Sequence, residues 1–508
     1  MTAREEGATV GRAVNRSSGA TPAEQSLGKL CEGTFLSLWS YPRLYRDQRS
    51  EGRTEGKEVA DLIVVFENDI VIFSDKRCAV PSSDDVKRDW SRWLRRAVTK
   101  SAEQAWGAER WIRHFPTRLF LDRQCTQPFP LPLPQMSTAR FHLIVVAHEI
   151  AQRCARALGG SGSLMIKSPL KGLSNHTEPF SIGDLDPSRS FVHVFDDTSL
   201  NIVMRTLDTI ADFTAYLSKK ETLLRSDQVI VAAGEEELLA FFLTRMNPDG
   251  QRDFAFPSDF TGVVLTEGNW EGFQAHPQRL AQIQANKISY SWDRLIETFN
   301  KHALQGTQYH GAPGGVQGTE RIVRFMAREP RTRRRMLAEG INELLSRTPP
   351  RQRAARVVAP SRPGDPFYVF LLLPLQREFS YDENRTARAN LLQMYCRVVK
   401  IRFPEAEDIL GIATESGLDR TSRSEDAVYL DARMWTVDDE SEARSIQAEF
   451  GLLTKTREWG SVVQEYPSAE RPALGAHVRV GRNPRNKQCP CGSGLKYKKC
   501  HGRATPGP

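Results

Sequence analysis

The sequence predicts a multidomain α/β protein, and three observations carry that expectation. The chain has 508 residues, room for about three domains of ordinary size. Its 40% hydrophobic and 26% charged residues are those of a globular chain, which excludes collagen, a coiled-coil rod and a wholly disordered polymer. Short β-rich runs alternate with stretches of helical periodicity near both ends of the body. No apolar run approaches the ~18 residues of a bilayer-spanning helix; among the longest is Phe367 to Leu373. The first 25 residues are rich in Arg, Glu, Ser, Thr and Gly and hold no apolar core, so no signal peptide and a cytoplasmic location are expected.

Residues 1–25 read as a disordered arm. Residues 26–47 show an apolar-aromatic helical pattern through Phe35, Leu36, Leu38 and Trp39 that ends near Pro42. Asp61 to Phe66 is a β-rich run, Glu67-Asn68-Asp69 a turn and Ile70 to Phe73 a second run, which together read as a hairpin. From Val86 to Ile112, Trp90, Trp93, Ala97, Ala108 and Trp111 recur at helical spacing. Pro128, Pro130, Pro132 and Pro134 stiffen a loop, and Phe141 to Ala147 reads as a buried strand. Further strands are expected at Leu164 to Ile166 and Phe191 to Phe195.

A mostly helical middle runs from 201 to about Leu345 and ends Arg-rich, with Arg331, Arg333, Arg334 and Arg335 in one turn and a half. Those arginines read either as a phosphate-contacting face or as a solvated helix balanced by acids elsewhere. Past the Pro-containing break at 360–366 come a strand at Tyr368 to Leu373, a helix at Asn384 to Lys400 and strands at Ile409 to Ala413 and Ala427 to Leu430, a second α/β unit.

Charge and cysteine are concentrated at the end of the chain. Residues 478–508 hold Arg479, Arg482, Arg485, Lys487, Lys496, Lys498, Lys499 and Arg503 with no Asp or Glu, so the whole formal net charge of +8 sits there. A basic appendage on a neutral body suits an anionic surface: nucleic acid, an acidic protein or lipid headgroups. Five of the eight cysteines are scattered singly; Cys489, Cys491 and Cys500 are clustered, with His501 beside the last. Three thiolates and an imidazole are a tetrahedral Zn²⁺ set. Gly492, Ser493 and Gly494 let the backbone turn tightly after the second ligand. A segment this short and polar cannot bury a core, so metal ligation supplies its folding energy; disulfides or free thiols are the alternative.

The stretch Arg482-Asn483-Pro484, then Cys489 to Gly502 (CPCGSGLKYKKCHG), resembles the SEC-C motif, the zinc-binding tail of the SecA translocase that also occurs on many unrelated bacterial proteins. The resemblance implies a zinc knuckle that docks partners, with Cys489, Cys491, Cys500 and His501 as ligands. It implies no translocation motor: Gly159-Gly160-Ser161-Gly162 ahead of Lys167-Ser168 lacks the Gly directly before Lys that a phosphate-cradling loop needs.

At the front, the hairpin gathers Glu58, Asp61 and Asp75-Lys76 toward one sheet end. Two carboxylates can hold Mg²⁺, and a neighbouring lysine can orient an attacking water. With helix-strand-strand-helix-strand order, this resembles the PD-(D/E)XK nuclease superfamily, of restriction-endonuclease-like fold. The resemblance implies Asp61 as first metal ligand, Lys76 as catalytic lysine, Glu58 as an upstream acid and Gln104 as the polar residue of the following helix, on a stripe expected to be buried. That family places its second acid two residues before the lysine, where Ser74 stands here; Asp75 and Lys76 should then face opposite ways unless a bulge re-aims one. A bulge, a metal held by Glu58 and Asp61 without Asp75, and a degenerate site are the three alternatives.

The other constellations lead nowhere. His148-Glu149 lacks the second zincin histidine, since residue 152 is Gln, and Ser424-Glu425-Asp426 reads as a polar lead-in to a strand. The full expectation is a restriction-endonuclease-like α/β unit at 26–200, a helical unit at 201–358, a second α/β unit at 364–465, a linker at 466–477 and a zinc knuckle at 478–503. The favoured function is Mg²⁺-dependent phosphodiester hydrolysis of nucleic acid. The alternative is a non-enzymatic zinc-binding adaptor that docks an acidic protein.

Overall fold

The computed structural model describes residues 13–467 except 49–51, 53–54, 197, 257–259, 311–313, 417–422, 459 and 461–462, together with Lys496. Three sheets organise the described residues. The first is built from β1 (Ser40–Arg46), β2 (Lys57–Phe66), β3 (Asp69–Lys76), β4 (Leu119–Phe120) and β5 (Arg140–Ala147). Two strands of the second sheet, β6 (Met165–Lys171) and β7 (Ser181–Asp184), then precede the last strand of the first, β8 (Val192–Asp196). The first sheet has the order β4-β1-β2-β3-β5-β8. β1, β2 and β3 run antiparallel, whereas β3, β5 and β8 are parallel and joined through helical crossovers.

The hairpin forms as its sequence dictates. Phe66 pairs with Asp69 across a two-residue turn in which Glu67 takes a positive φ of 50°, the twist-matched geometry of a short hairpin. Ile63, Val64, Ile70, Val71 and Ile72 are fully buried, because helices cover both faces. Helix Pro22–Phe35 lies on one face, its Phe35 ring 6.1 Å from Phe73. On the other lies a long helical stretch, Val86–Trp93 continuing through a π-helical turn at Leu94–Thr99 into Lys100–His114.

Several expectations need correction. The single helical pattern over 26–47 is a helix followed by a strand: Leu36, with φ of 66°, stops the helix, and β1 begins at Ser40. A dense apolar run satisfies both periods, so periodicity alone did not separate them. The helix starts at Pro22, capped by the Thr21 hydroxyl, inside the stretch read as an arm. Arg16 ahead of it donates to the Ser40 carbonyl at 2.7 Å.

The second sheet, completed by β9 (Val229–Ala232) and β10 (Gly262–Leu265), has the order β10-β9-β6-β7. β6 and β7 come from the first expected unit and β9 and β10 from the expected helical middle, so one sheet crosses residue 200. Four-residue apolar strands are indistinguishable from buried helix by periodicity.

The third sheet consists of β11 (Ala354–Val358), β12 (Phe367–Leu373), β13 (Asp408–Glu415) and β14 (Glu425–Asp431), in chain order. Phe367, Val369 and Leu371 pack with Leu392, Cys396 and Val399 of helix Tyr381–Arg402, whereas Tyr368 and Phe370 join the main core. That alternation is the two-residue strand period made visible. A Ser380/Glu383 capping box starts the helix.

The Arg-rich turn is neither a phosphate-contacting face nor a solvated surface. Arg334 is fully buried and Arg331, Arg333 and Arg335 nearly so. Arg331 pairs with Asp208 at 2.8 Å and Asp293 at 2.7 Å, and Arg334 with Asp293 at 2.8 Å. Nearby, Glu465 pairs with Arg252 at 2.8 Å, and the Tyr466 hydroxyl donates to the Leu243 carbonyl, so the chain is anchored just before its basic tail.

Candidate functional site

The sheet end predicted to carry chemistry opens on a cavity of about 850 Å³ lined by Glu58, Asp61, Ser74 and Gln104, among others. Register explains the grouping. The β2/β3 ladder ends at Leu62 paired with Phe73, so the next residues on each strand, Asp61 and Ser74, face the same side. Helix Lys100–His114 covers that side, and the Ser74 hydroxyl donates to Gln104 Oε1 at 3.3 Å. Lys76, two residues past Ser74, shares its strand face.

Asp75 is not part of this group. Strand alternation turns it to the opposite face, where its carboxylate pairs with His148 Nε2. β3 stays in unbroken register with β5 from Asp69 through Lys76, so no bulge re-aims Asp75. The expected catalytic set Glu58, Asp61, Asp75, Lys76 and Gln104 is therefore split, with Ser74 in the place of the second acid. Gln104 also departs from expectation: it is an exposed residue at the cavity wall and not a buried amide.

The remaining carboxylates have structural partners. Asp61 Oδ2 accepts the Asp75 backbone N–H at 2.7 Å, which satisfies a donor where the ladder stops. Glu58 lies 3.4 Å from the Arg43 guanidinium. Burial pushes the Asp61 carboxyl up to about 6, against the lowering effect of the Asp75 N–H and with further upward pressure from Glu58. Burial also raises Glu58, opposed by Arg43.

Asp61 thus has a stability signature. Its folded pKa lies above the unfolded one, so its contribution to stability is fully present below pH ~4 and is lost as pH rises through about 6. Asp61→Asn keeps an acceptor for the Asp75 N–H and removes the buried charge. The variant is expected to be more stable than the native protein by roughly 1–2 kcal/mol at pH ~7.5, with the two stabilities converging near pH ~4. Urea unfolding at both pH values checks this; identical curves throughout would refute it.

The tail residues Cys489, Cys491, Cys500 and His501 lie outside the described residues; Lys496, the one described position among them, is exposed. Comparison with known proteins bears on this segment. The SEC-C motif matches residues 485–503. The protein translocase subunit SecA of Vesicomyosocius okutanii subsp. Calyptogena okutanii (strain HA) is 31% identical over 116 residues, covering 23% of this chain and 12% of that protein. SecA of Acidovorax sp. (strain JS42) is 37% identical over 83 residues, 16% of this chain and 8% of the relative. SecA of Acinetobacter baylyi is 49% identical over 41 residues, 8% and 4% respectively. The chain thus spans about a tenth or less of the length of these curated relatives. No solved structure matches the chain. What the sequence shares with SecA is a SEC-C motif, a motif of zinc-binding type, at residues 485–503.

Proposed function

We propose that this chain is a zinc-binding docking protein whose SEC-C segment recruits an acidic protein surface to the α/β body. The observation that carries the reading is the SEC-C match at 485–503, inside the stretch that holds the whole net positive charge. The donor set fits the metal: three thiolates and an imidazole from Cys489, Cys491, Cys500 and His501 make a closed tetrahedral site of structural type. Zinc supplies folding energy that a short polar segment lacks. The anchoring of Glu465 and Tyr466 gives the tail a defined point of departure from the body.

The full-length protein is expected to hold about one zinc per chain, falling to near zero in Cys489→Ser and Cys500→Ser with the body still folded. Metal analysis by mass spectrometry with circular dichroism reads both. Zinc retained in both variants would overturn the ligand assignment. Removing residues 478–508 should abolish capture of an acidic protein; capture of nucleic acid alone, with a steep salt dependence, would move the partner to the other class.

A second reading, phosphodiester hydrolysis at the front cavity, is favoured by the meeting of Asp61, Ser74 and Gln104 there with Lys76 on the same strand face. The donor set does not fit the expected magnesium site. Asp75 is turned away to His148, Glu58 is held by Arg43, and among the described residues no group of three His, Cys, Asp or Glu side chains is placed to hold a metal ion. Incubation of labelled DNA and RNA with Mg²⁺ or Mn²⁺ tests the reading: cleavage abolished by both Asp61→Ala and Lys76→Ala supports it. Cleavage indifferent to either belongs to another site or a contaminant.

A further inference from the structure

The front cavity has a second end, and its chemistry is opposite to the first. Arg46, Lys57 and Arg110 line it together with the aromatic rings of Trp111 and Phe115. Most of the cavity's acids have cationic partners of their own. Arg43 sits between Glu24 and Glu58, at 3.8 and 3.4 Å, and Arg189 is 3.0 Å from Glu103. Lys57, Arg110 and Arg46 make no side-chain ion pair or hydrogen bond among the described residues, and the Arg46 guanidinium lies 4.9 Å from the Trp111 ring centroid. Three cations with no counter-ion among the described residues at one concave wall concentrate positive potential there, since low-dielectric walls focus the field.

The aromatic wall points the same way. Trp111 is buried, yet its indole N–H has no hydrogen-bond partner among the described residues; a buried donor left in that state is costly unless something else accepts from it. Phe115, whose ring lies 4.5 Å from Trp111 and 5.3 Å from the Arg118 guanidinium, keeps 40% of its surface exposed in the cavity lining. A cavity of about 850 Å³ lies within the usual range of small-ligand sites and has room for one or two nucleotide units.

We propose that this end of the cavity binds an organic phosphate that carries an aromatic base. The phosphate sits among Arg46, Lys57 and Arg110, and the base lies against Phe115 and Trp111. Guanidinium groups and an ammonium are the donors phosphate oxygens accept from, and base–aromatic stacking is indifferent to sequence. A free nucleoside monophosphate and the phosphorylated terminal nucleotide of a single strand present the same chemistry. The inference shares its cavity with the hydrolytic reading but needs no turnover, so binding measured in EDTA separates failure of one from failure of the other.

The test is calorimetric titration of the full-length protein in EDTA with AMP, adenosine, and a short single-stranded oligonucleotide with and without a terminal phosphate. AMP is expected to bind at least about ten-fold more tightly than adenosine. Arg110→Ala and Lys57→Ala should each weaken AMP by about the same factor; both side chains are exposed, so melting temperatures should stay at the native value. Asp61→Asn, which removes a carboxylate with no cationic partner among the described residues from the same cavity lining, should leave AMP binding equal or tighter. Tighter binding of the phosphorylated oligonucleotide than of AMP identifies a strand end as the ligand, and the reverse order identifies the free nucleotide. Equal binding of AMP and adenosine, no binding of any phosphorylated probe, or AMP affinity unchanged in both Ala variants would overturn the proposal.

Discussion

Replacing Asp293 by Ala is expected to cost about 3–5 kcal/mol of folding stability. Asp293 accepts from Arg331 Nη1 at 2.7 Å and from Arg334 Nη1 at 2.8 Å. Arg331 retains Asp208 at 2.8 Å. Arg334 is fully buried, and without Asp293 its partners among the described residues are two backbone carbonyls, those of Glu329 and Ala327. Carbonyl dipoles satisfy its donors but do not neutralise its charge, so the variant leaves a buried cation without its counter-ion, which is the most destabilising half of a broken pair. A second substitution, Arg334→Met in the same chain, should recover more than half of the loss, because removing both charges leaves only the packing difference. Urea unfolding followed by tryptophan fluorescence reads this as a fall in midpoint of about 1 M or more, largely reversed in the double variant. A single-variant loss below about 1 kcal/mol would mean that the pair behaves as a surface salt bridge.

The second large effect belongs to Lys220. Its ammonium lies 2.5 Å from Glu235, and both side chains are 3% exposed. The other Glu235 oxygen accepts from the Tyr216 hydroxyl at 2.6 Å, and Lys220 also sits 4.9 Å from the Phe195 ring centroid. Lys220→Met fills the aliphatic channel and strands the carboxylate with a single neutral donor. Glu235 opens helix Glu235–Leu243, whose N-terminal dipole continues to favour a negative charge. The expected loss is therefore at the lower end of the range for a broken buried pair, about 3 kcal/mol. Lys220→Met with Glu235→Gln should recover part of it, since the amide can still accept from Tyr216 without carrying charge. Thermal unfolding of the three variants checks the order native, double, single; a double variant as unstable as Lys220→Met alone would show that packing around Lys220, and not the stranded carboxylate, sets the cost.

These two sites show where sequence reading stopped. Arg331, Arg333, Arg334 and Arg335 stand in one helical stretch with no acid among them, and a charge cluster of that kind reads as surface. Their partners Asp208 and Asp293 are more than 30 residues away along the chain, the first in the connection between helices Ser199–Thr206 and Ile210–Arg225 and the second on helix Tyr290–Gln305. Likewise, β9 and β10 are short apolar runs whose strand character comes from pairing with each other and with β6. By contrast the β2–β3 hairpin was legible to within a few residues, because its turn, its β-branched runs and its alternation are encoded within one 20-residue window.

The candidate site divides along the same line. The sequence by itself determined the SEC-C motif at 485–503 and the basic tail around it, because cysteines at short spacing and a local charge excess need no distant partner to be recognised. It also set the expectation that Asp75 and Lys76 part company unless a bulge intervenes, since that follows from the two-residue period of any strand. Only the tertiary structure decided which side each took. Asp75 was claimed by His148, Glu58 by Arg43, and Asp61 by the open end of the ladder, while Arg46, Lys57 and Arg110 were left facing a cavity without counter-ions among the described residues. The physical reason is that a charge acquires its role from the partner that neutralises it, and here those partners are brought by chain segments up to 73 residues apart.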